Sequence, residues 1–205
     1  MSSRGNFVVF EGIDGSGKSS QVTRVALDRG ALRAYEPGDT ALGAQLRVWL
    51  LDRDTPMTSE TEALLMLADR SHHVHTVIEP ALATGRHVVC DRFTASTYAY
   101  QGYGRGEELG ALQRATSLAV GDVAPTLTVL MDLPVHVARS RRSTSEQDRF
   151  ESSGDDFDEA VRQGYLDMAH DDPAEWFIVD AGGSFDEVSR AIDVRLDQLE
   201  WTVRG

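Results

Sequence analysis

The chain has 205 residues, 41% of them hydrophobic and 26% charged, a composition that suits an ordinary globular protein able to bury its own core. Its 33 acidic and 20 basic residues leave a net charge of −13, which argues against a general nucleic-acid surface, since neutralising a phosphate backbone takes clustered cations. No apolar run approaches the ~20 residues of a membrane span, the N-terminal MSSRGNFVVFEG lacks the pattern of a secretory signal, and the single cysteine cannot close an internal disulfide, so a single-domain cytoplasmic chain (residues 1–205) is the expectation.

The first element is the strand NFVVFEG, followed by GIDGSGKSS and a helical pattern, KSSQVTRVALDRG, that ends at Gly30. A second strand, LRAYE, runs into Glu36 and Pro37. Next comes SETEALLMLADRSHHVHTVIEPALATG, which opens on the capping-box pattern Ser59-x-x-Glu62 and is interrupted at Pro80. RHVVCD, TLTVLMD and EWFIVDA complete five strand-like runs, and SFDEVSRAIDVRLDQLEW closes the chain as a helix with a second capping box, Ser184 and Glu187. The runs are continuous rather than alternating, as strands covered on both faces are. Strands alternating with helices imply right-handed crossovers and a five-stranded parallel sheet in an α/β fold. Ligands of such sheets bind beyond the carboxyl ends of the strands. That rule makes Gly12 to Ser20, Glu36 and Pro37, Asp91 and Arg92, and Asp132 and Pro134 candidate neighbours. Cys90, inside HVVCD, reads as a buried strand thiol. His72, His73 and His75 share one helix without an acidic partner at i+4, which favours solvent or interface positions over a metal site.

Residues 12–19 fit G-x-x-x-x-G-K-[ST] without a mismatch, between a predicted strand and a predicted helix. The chemistry needs these residue types. Gly12, Gly15 and Gly17 let the backbone curl so that N–H groups, including those of Ser16 and Ser20, point at phosphate oxygens, and the helix N-terminus adds its partial charge. Lys18 is the only lysine among 20 basic residues. A compact ammonium can follow the β/γ bridge as a forked guanidinium cannot. Ser19 supplies a hydroxyl to Mg²⁺. The loop therefore predicts a three-layer P-loop NTPase fold and an ATP-type donor site, without naming the reaction.

The reaction is narrowed by DRFTASTYAYQG, residues 91–102. Arg92, at a strand end on the same rim, can bind a phosphate bidentately and bridge donor to acceptor. Asp91 can hold the metal's water shell or orient that arginine, and the alternative is a strand-end ion pair. Tyr100 and Gln101 offer a ring and an amide for a nucleoside, although the ring could equally be core. Arg139, Arg141, Arg142 and Arg149 fall within eleven residues, ahead of acidic sequence. The polar stretch from Ser143 to Asp156 reads as a lid, about 141–157.

Taken together, FVVFEGIDGSGKSSQ, EPGDTALGAQLR, ALLMLADR, DRFTASTYAYQG, LTVLMDLP, DRFE and VDA resemble, in order, the thymidylate kinase family of P-loop nucleoside monophosphate kinases. The resemblance implies ATP and dTMP as substrates, Mg²⁺ as cofactor, and a homodimer built through packed helices, to which HHVHTVIEPAL is either a contributor or simply core. It also implies roles. Asp14 would face the acceptor's sugar; Arg47 and Arg92 would clamp its phosphate beside Glu36 and Pro37. Arg70 and Gln101 would hold the pyrimidine, Ser96 and the residue at 66 would lie near it, and Tyr100 would crowd the 2′ position. Arg141 would stack on adenine. Some members carry an arginine in the loop where this chain has Gly15, so a lid arginine would reach the transferring phosphoryl group, with Arg149 first and Arg142 second.

Three departures lie near the acceptor and the lid. The chain reads Tyr35-Glu36-Pro37-Gly38-Asp39-Thr40 where the family commonly has REPGGT, places Met66 where many members have phenylalanine, and has Ser143 and Ser145 at lid arginine positions. These leave open a related kinase for another nucleotide or a deoxynucleoside, or a nucleotide-binding protein with reduced catalysis.

Overall fold

A computed structural model of the protein describes residues 4–142, 149–150, 154–199 and 201. Five strands, β1 (Phe7–Glu11), β2 (Leu32–Tyr35), β3 (Val88–Asp91), β4 (Leu127–Asp132) and β5 (Trp176–Asp180), form one parallel sheet in the order β2-β3-β1-β4-β5. The central strand β1 is buried along its whole length. Its side chains alternate between two cores: Val8 and Phe10 pack in the cluster that holds Val22, Val25 and Ile192, while Phe7 and Val9 join Leu67, Ile78 and Leu82. Burying each such side chain is worth about 1.5–3 kcal/mol. The expectation of strands covered on both faces fails at the margin. β2 and β5 are edge strands, and β5 leaves Ile178 and Asp180 exposed.

Helix α1 (Lys18–Asp28) starts at Gly17 directly after the Gly-rich loop, and α2 (Ala41–Leu51) is capped by Thr40, whose side chain accepts from the Gly43 amide. Helix α3 (Ser59–His73) corrects the first expected cap. Thr58 is the N-cap and accepts from Thr61, which frees Ser59 and Glu62 for contacts with Glu107 and with Gln101. Pro80 does not end this rod. A π-helical turn, Val74–Ile78, precedes α4 (Glu79–Ala83), where Pro80 stands in the first turn and needs no amide partner. Val74, Ile78 and Leu82 are buried, so one face of HHVHTVIEPAL is core, while His75, Thr76 and Pro80 are exposed. His73 also overturns its sequence reading. It is fully buried, whereas His72 is half-buried and His75 exposed.

A short helix α5 (Thr94–Thr97) passes into a second π-helical turn, Tyr98–Gly104, which carries Tyr100 and Gln101. Next come α6 (Leu109–Val120), α7 (Val135–Arg141), α8 (Asp155–Asp171) and α9 (Phe185–Leu196), the last with the expected Ser184–Glu187 capping box. Of the segment expected as a lid, about 141–157, residues 143–148 and 151–153 lie outside the described residues. Arg141 closes α7 and residues 155–157 open α8, while Ser143 and Ser145 lie outside the described residues.

Candidate active site

The loop between β1 and α1 takes its shape from backbone that side chains disfavour. Gly15 has φ +87°, and a Cβ there would lie 2.4 Å from the Ala138 carbonyl oxygen, so α7 rests directly on the loop. This contact also explains why no side chain could stand at position 15. Lys18 is buried under the loop, with Nζ donating to the Ile13 carbonyl at 2.9 Å and lying 3.4 Å from Ser16 Oγ. Burial, then the positive charge of Arg92, lower its pKa to about 8, against the pull of Asp14, Asp91 and Glu11. Ser19 Oγ donates to Asp91 Oδ2, which joins the first turn of α1 to the end of β3.

Arg92 is the hub of the rim. It has φ +72°, the one positive value outside glycine among the described residues, and its backbone N–H donates to the Phe10 carbonyl. A bulky residue is held in that region only when its surroundings over-determine it. Here Nη2 donates to Asp14 Oδ1 at 2.6 Å and Tyr100 Oη at 3.0 Å, while Nη1 reaches Gly12 O, Ser96 Oγ and Tyr165 Oη, each at 3.2 Å. Tyr100 also donates to Asp14 Oδ2 at 3.0 Å. Burial alone would raise the Asp14 carboxyl, but Arg92, Lys18 and Arg142 hold it well below the ordinary carboxylate range. Beneath Arg92 sits Glu11, fully buried and pushed up by that burial. It accepts from the Phe93 amide, Ser96 and Tyr165.

A cleft of about 650 Å³ opens over this network. From the donor side Asp14, Gly15, Gly17, Lys18, Ser19 and Ser20 line it, and Asp91, Arg92 and Arg141 stand between the halves. Opposite are Glu36, Pro37, Arg47, Met66, Arg70, Ser96, Tyr100 and Gln101. Glu36 and Pro37 are joined by a cis peptide bond, and Arg47 Nη1 donates to the Pro37 carbonyl at 2.6 Å. Arg70 is buried, with Nε on Glu36, Nη1 on Thr97 and Nη2 on the Phe93 carbonyl. Gln101 Nε2 donates to Glu62 at 3.0 Å. Arg141 donates to the Ala181 and Gly182 carbonyls.

The cleft thus gathers most of the candidate side chains named from the sequence, but Gly12, Ser16, Asp132, Pro134, Arg142 and Arg149 do not line it. Gly12 and Ser16 belong to the loop itself. Arg149 does not line the cleft; its guanidinium donates to the Asp52 and Thr55 carbonyls beyond the C-terminus of α2. Asp132 and Pro134 also fall outside it, the former gripped by Arg162 at 2.7 and 2.9 Å. Arg142 is the lid-side cation nearest the loop. Its Nε donates to the Asp14 carbonyl at 3.0 Å and Nη1 to Asp158, while Nη2 is buried without a hydrogen-bond partner. Sequence reasoning missed Glu11, Asp69, Thr97, Tyr165 and Arg33, the last stacked 5.6 Å from the Tyr35 ring at the cleft wall. Only Glu11 had a local signal, an acid closing an apolar strand.

A curled amide loop with a buried lysine, an acid at the next strand end and an arginine-lined cleft facing it on one rim define a P-loop phosphotransferase. The family model "Thymidylate kinase" matches residues 10–192. Thymidylate kinase of Desulforudis audaxviator is 45% identical over 202 residues, 95% of this chain and 91% of that one, and that of Solidesulfovibrio magneticus is 44% identical over 91% and 96%. The crystal structure of thymidylate kinase from Ehrlichia chaffeensis is similar with a TM-score of 0.75 at 29% identity, covering 96% of this chain and all of that one. The chain belongs to the thymidylate kinase family.

Proposed function

We propose that the protein transfers the γ-phosphoryl group of ATP to dTMP, giving ADP and dTDP. The observation that carries this reading is the meeting of the two half-sites at Arg92, whose guanidinium is fixed on Asp14 of the donor loop while it faces the acceptor side of the cleft. An oxygen of the acceptor phosphate would attack the γ-phosphorus in line, and the bond to the bridging oxygen would break as ADP leaves. Little covalent work falls to the protein. Positioning and charge stabilisation supply the rate.

In this reading Lys18 and the loop amides hold the β/γ oxygens, with Gly12 and Ser16 shaping the loop. Ser19 and Asp91 offer hard oxygen donors within hydrogen-bond reach of each other, a donor set that fits Mg²⁺. When bound, the ion would neutralise charge on the β and γ oxygens. Asp14, kept ionised by Arg92, would accept from the 3′-hydroxyl. Arg92 and Arg47 would clamp the acceptor phosphate near Glu36 and Pro37, and Arg141 would stack on adenine. Arg70, Gln101, Ser96 and Met66 would surround the pyrimidine, and Tyr100, pinned by its hydroxyl, would close the 2′ position. For the lid arginine, the placement of Arg142 over the loop favours it over Arg149. We further propose a homodimer and a cytoplasmic setting, in which the lone thiol of Cys90 stays reduced. No helix among the described residues is long and apolar enough to cross a membrane.

A coupled assay with ATP and, in turn, dTMP, dUMP, dCMP, dGMP and thymidine tests the reaction. The highest kcat/KM is expected with dTMP. Preference for any acceptor other than dTMP or dUMP overturns the substrate assignment, and ATP binding without transfer to any of them overturns catalysis.

A further inference from the structure

Beside the acceptor wall lies a row of four charged side chains that the phosphoryl-transfer reading does not use in full. Glu36 stands between two helix residues. Its Oε2 accepts from Arg70 Nε at 2.7 Å, and its Oε1 meets His73 Nδ1 at 2.9 Å. All three side chains are 3% exposed or less. On the far side of the imidazole, Asp39 Oδ2 lies 3.3 Å from Nε2, without forming a hydrogen bond, so that contact is one of charge. Asp39 is the acid that this chain carries where its family commonly has glycine.

We propose that His73, flanked by Glu36 on Nδ1 and Asp39 on Nε2, is a positioning residue that locks Glu36 and, through it, the guanidinium of Arg70 against the acceptor's pyrimidine. This rests on the reading of Arg70 as a base contact. Arg70 has five N–H groups and the protein takes three, leaving two on a side chain that lines the cleft. Where those two point depends on Nε staying on Glu36. Loss of the ring leaves Oε1 as a buried acceptor without its partner; loss of its charge alone keeps an Nδ1–H donor but weakens the hold on the Glu36 carboxylate. The groups facing His73 are Glu36 and Asp39 from the turn after β2, and Asp69 and Arg70 from α3. Burial works against the imidazolium, but Asp39 and Glu36 outweigh it and raise its pKa to about 9. Asp69, buried and near Glu36, is raised to about 6, so it carries negative charge near neutral pH and adds to the same field.

Steady-state kinetics on the full chain decide the matter. His73→Asn keeps a donor near Oε1 but loses the charge and the Asp39 contact. It should raise the KM for dTMP about tenfold, with kcat within about twofold and the ATP KM unmoved. Asp39→Asn alters a more exposed group and keeps the test open if His73→Asn fails to fold. It should lower by about one unit the pH at which the dTMP KM begins to rise. Arg70→Ala separates the two layers. An unchanged dTMP KM in Arg70→Ala removes the base contact itself. A raised KM there, with Asp39→Asn keeping the wild-type pH profile, overturns the relay, as does a His73→Asn effect that persists undiminished in the Arg70→Ala background. Equal losses in kcat and in both KM values overturn it too, since they mark a purely structural histidine.

Discussion

Lys18 shows at one residue how the fold accepts instability for the sake of a ligand. Its ammonium has a carbonyl and a hydroxyl as partners but no carboxylate within ion-pair distance among the described residues, and its pKa falls from 10.5 to about 8. The folded chain therefore holds this proton less tightly than the unfolded one. The penalty is full below pH 8 and is relieved as pH rises toward 10.5, and its size is about 3 kcal/mol. Lys18→Met should accordingly abolish phosphoryl transfer, by ~10³-fold or more, while raising Tm at pH 7 by a few degrees. A calorimetric scan showing a lower Tm would remove this account of the lysine. The role of Lys18 was legible because its motif is local, eight consecutive residues between a strand and a helix. Glu11 and Tyr165 were not, because the bond that joins them spans 154 positions. His73 was misread for the same reason. The carboxylates that bury it come from the turn after β2, not from its own helix face.

At the scale of elements, α7 decides which arginine can serve the transferring group. Its backbone lies against Gly15, and Arg142, just beyond its last turn, stands over the loop with Asp158 of α8 as counter-charge. Arg149 instead places its charge on carbonyls just past the C-terminus of α2, a favourable position for a cation. Arg142→Ala should therefore lower kcat by ~10²-fold or more with a small change in dTMP KM, and Arg149→Ala by less than about tenfold. Single-turnover rates in the reverse order would return the role to Arg149. Sequence alone picked out the five strands, since continuous apolar runs are distinctive, but not their order in the sheet. It did not mark α2, whose Val48 and Trp49 face outward and blur any helical stripe, nor the start of α8 inside an acidic stretch. The π-helical turns that present Tyr100 and absorb Pro80 follow from tertiary packing and have no sequence signature.

Across the whole molecule, exposed apolar surface is unevenly spread. Of ten large exposed hydrophobic side chains among the described residues, six lie on three helices: Leu42, Val48 and Trp49 on α2, Leu64 on α3, and Leu109 and Leu118 on α6. Helix α3 packs against both α2 and α6, so the three helices that carry these side chains are neighbours. Exposed apolar surface on adjoining helices is where the proposed homodimer would form, since a symmetric pair of chains would cover it with one self-complementary contact. Helix α3 also backs the acceptor wall, because it carries Met66 and Arg70 on its cleft side. Sedimentation velocity should therefore show twice the chain mass at micromolar concentration. Leu118→Glu, at a position 87% exposed and so harmless to the single fold, should shift the protein to monomer. The same variant should raise the dTMP KM more than the ATP KM, since α3 loses its outer support while the phosphate loop keeps its own. A wild-type protein that sediments as a monomer would leave this surface without a partner of its own kind. A Leu118→Glu monomer with wild-type dTMP KM would uncouple the dimer from the acceptor site.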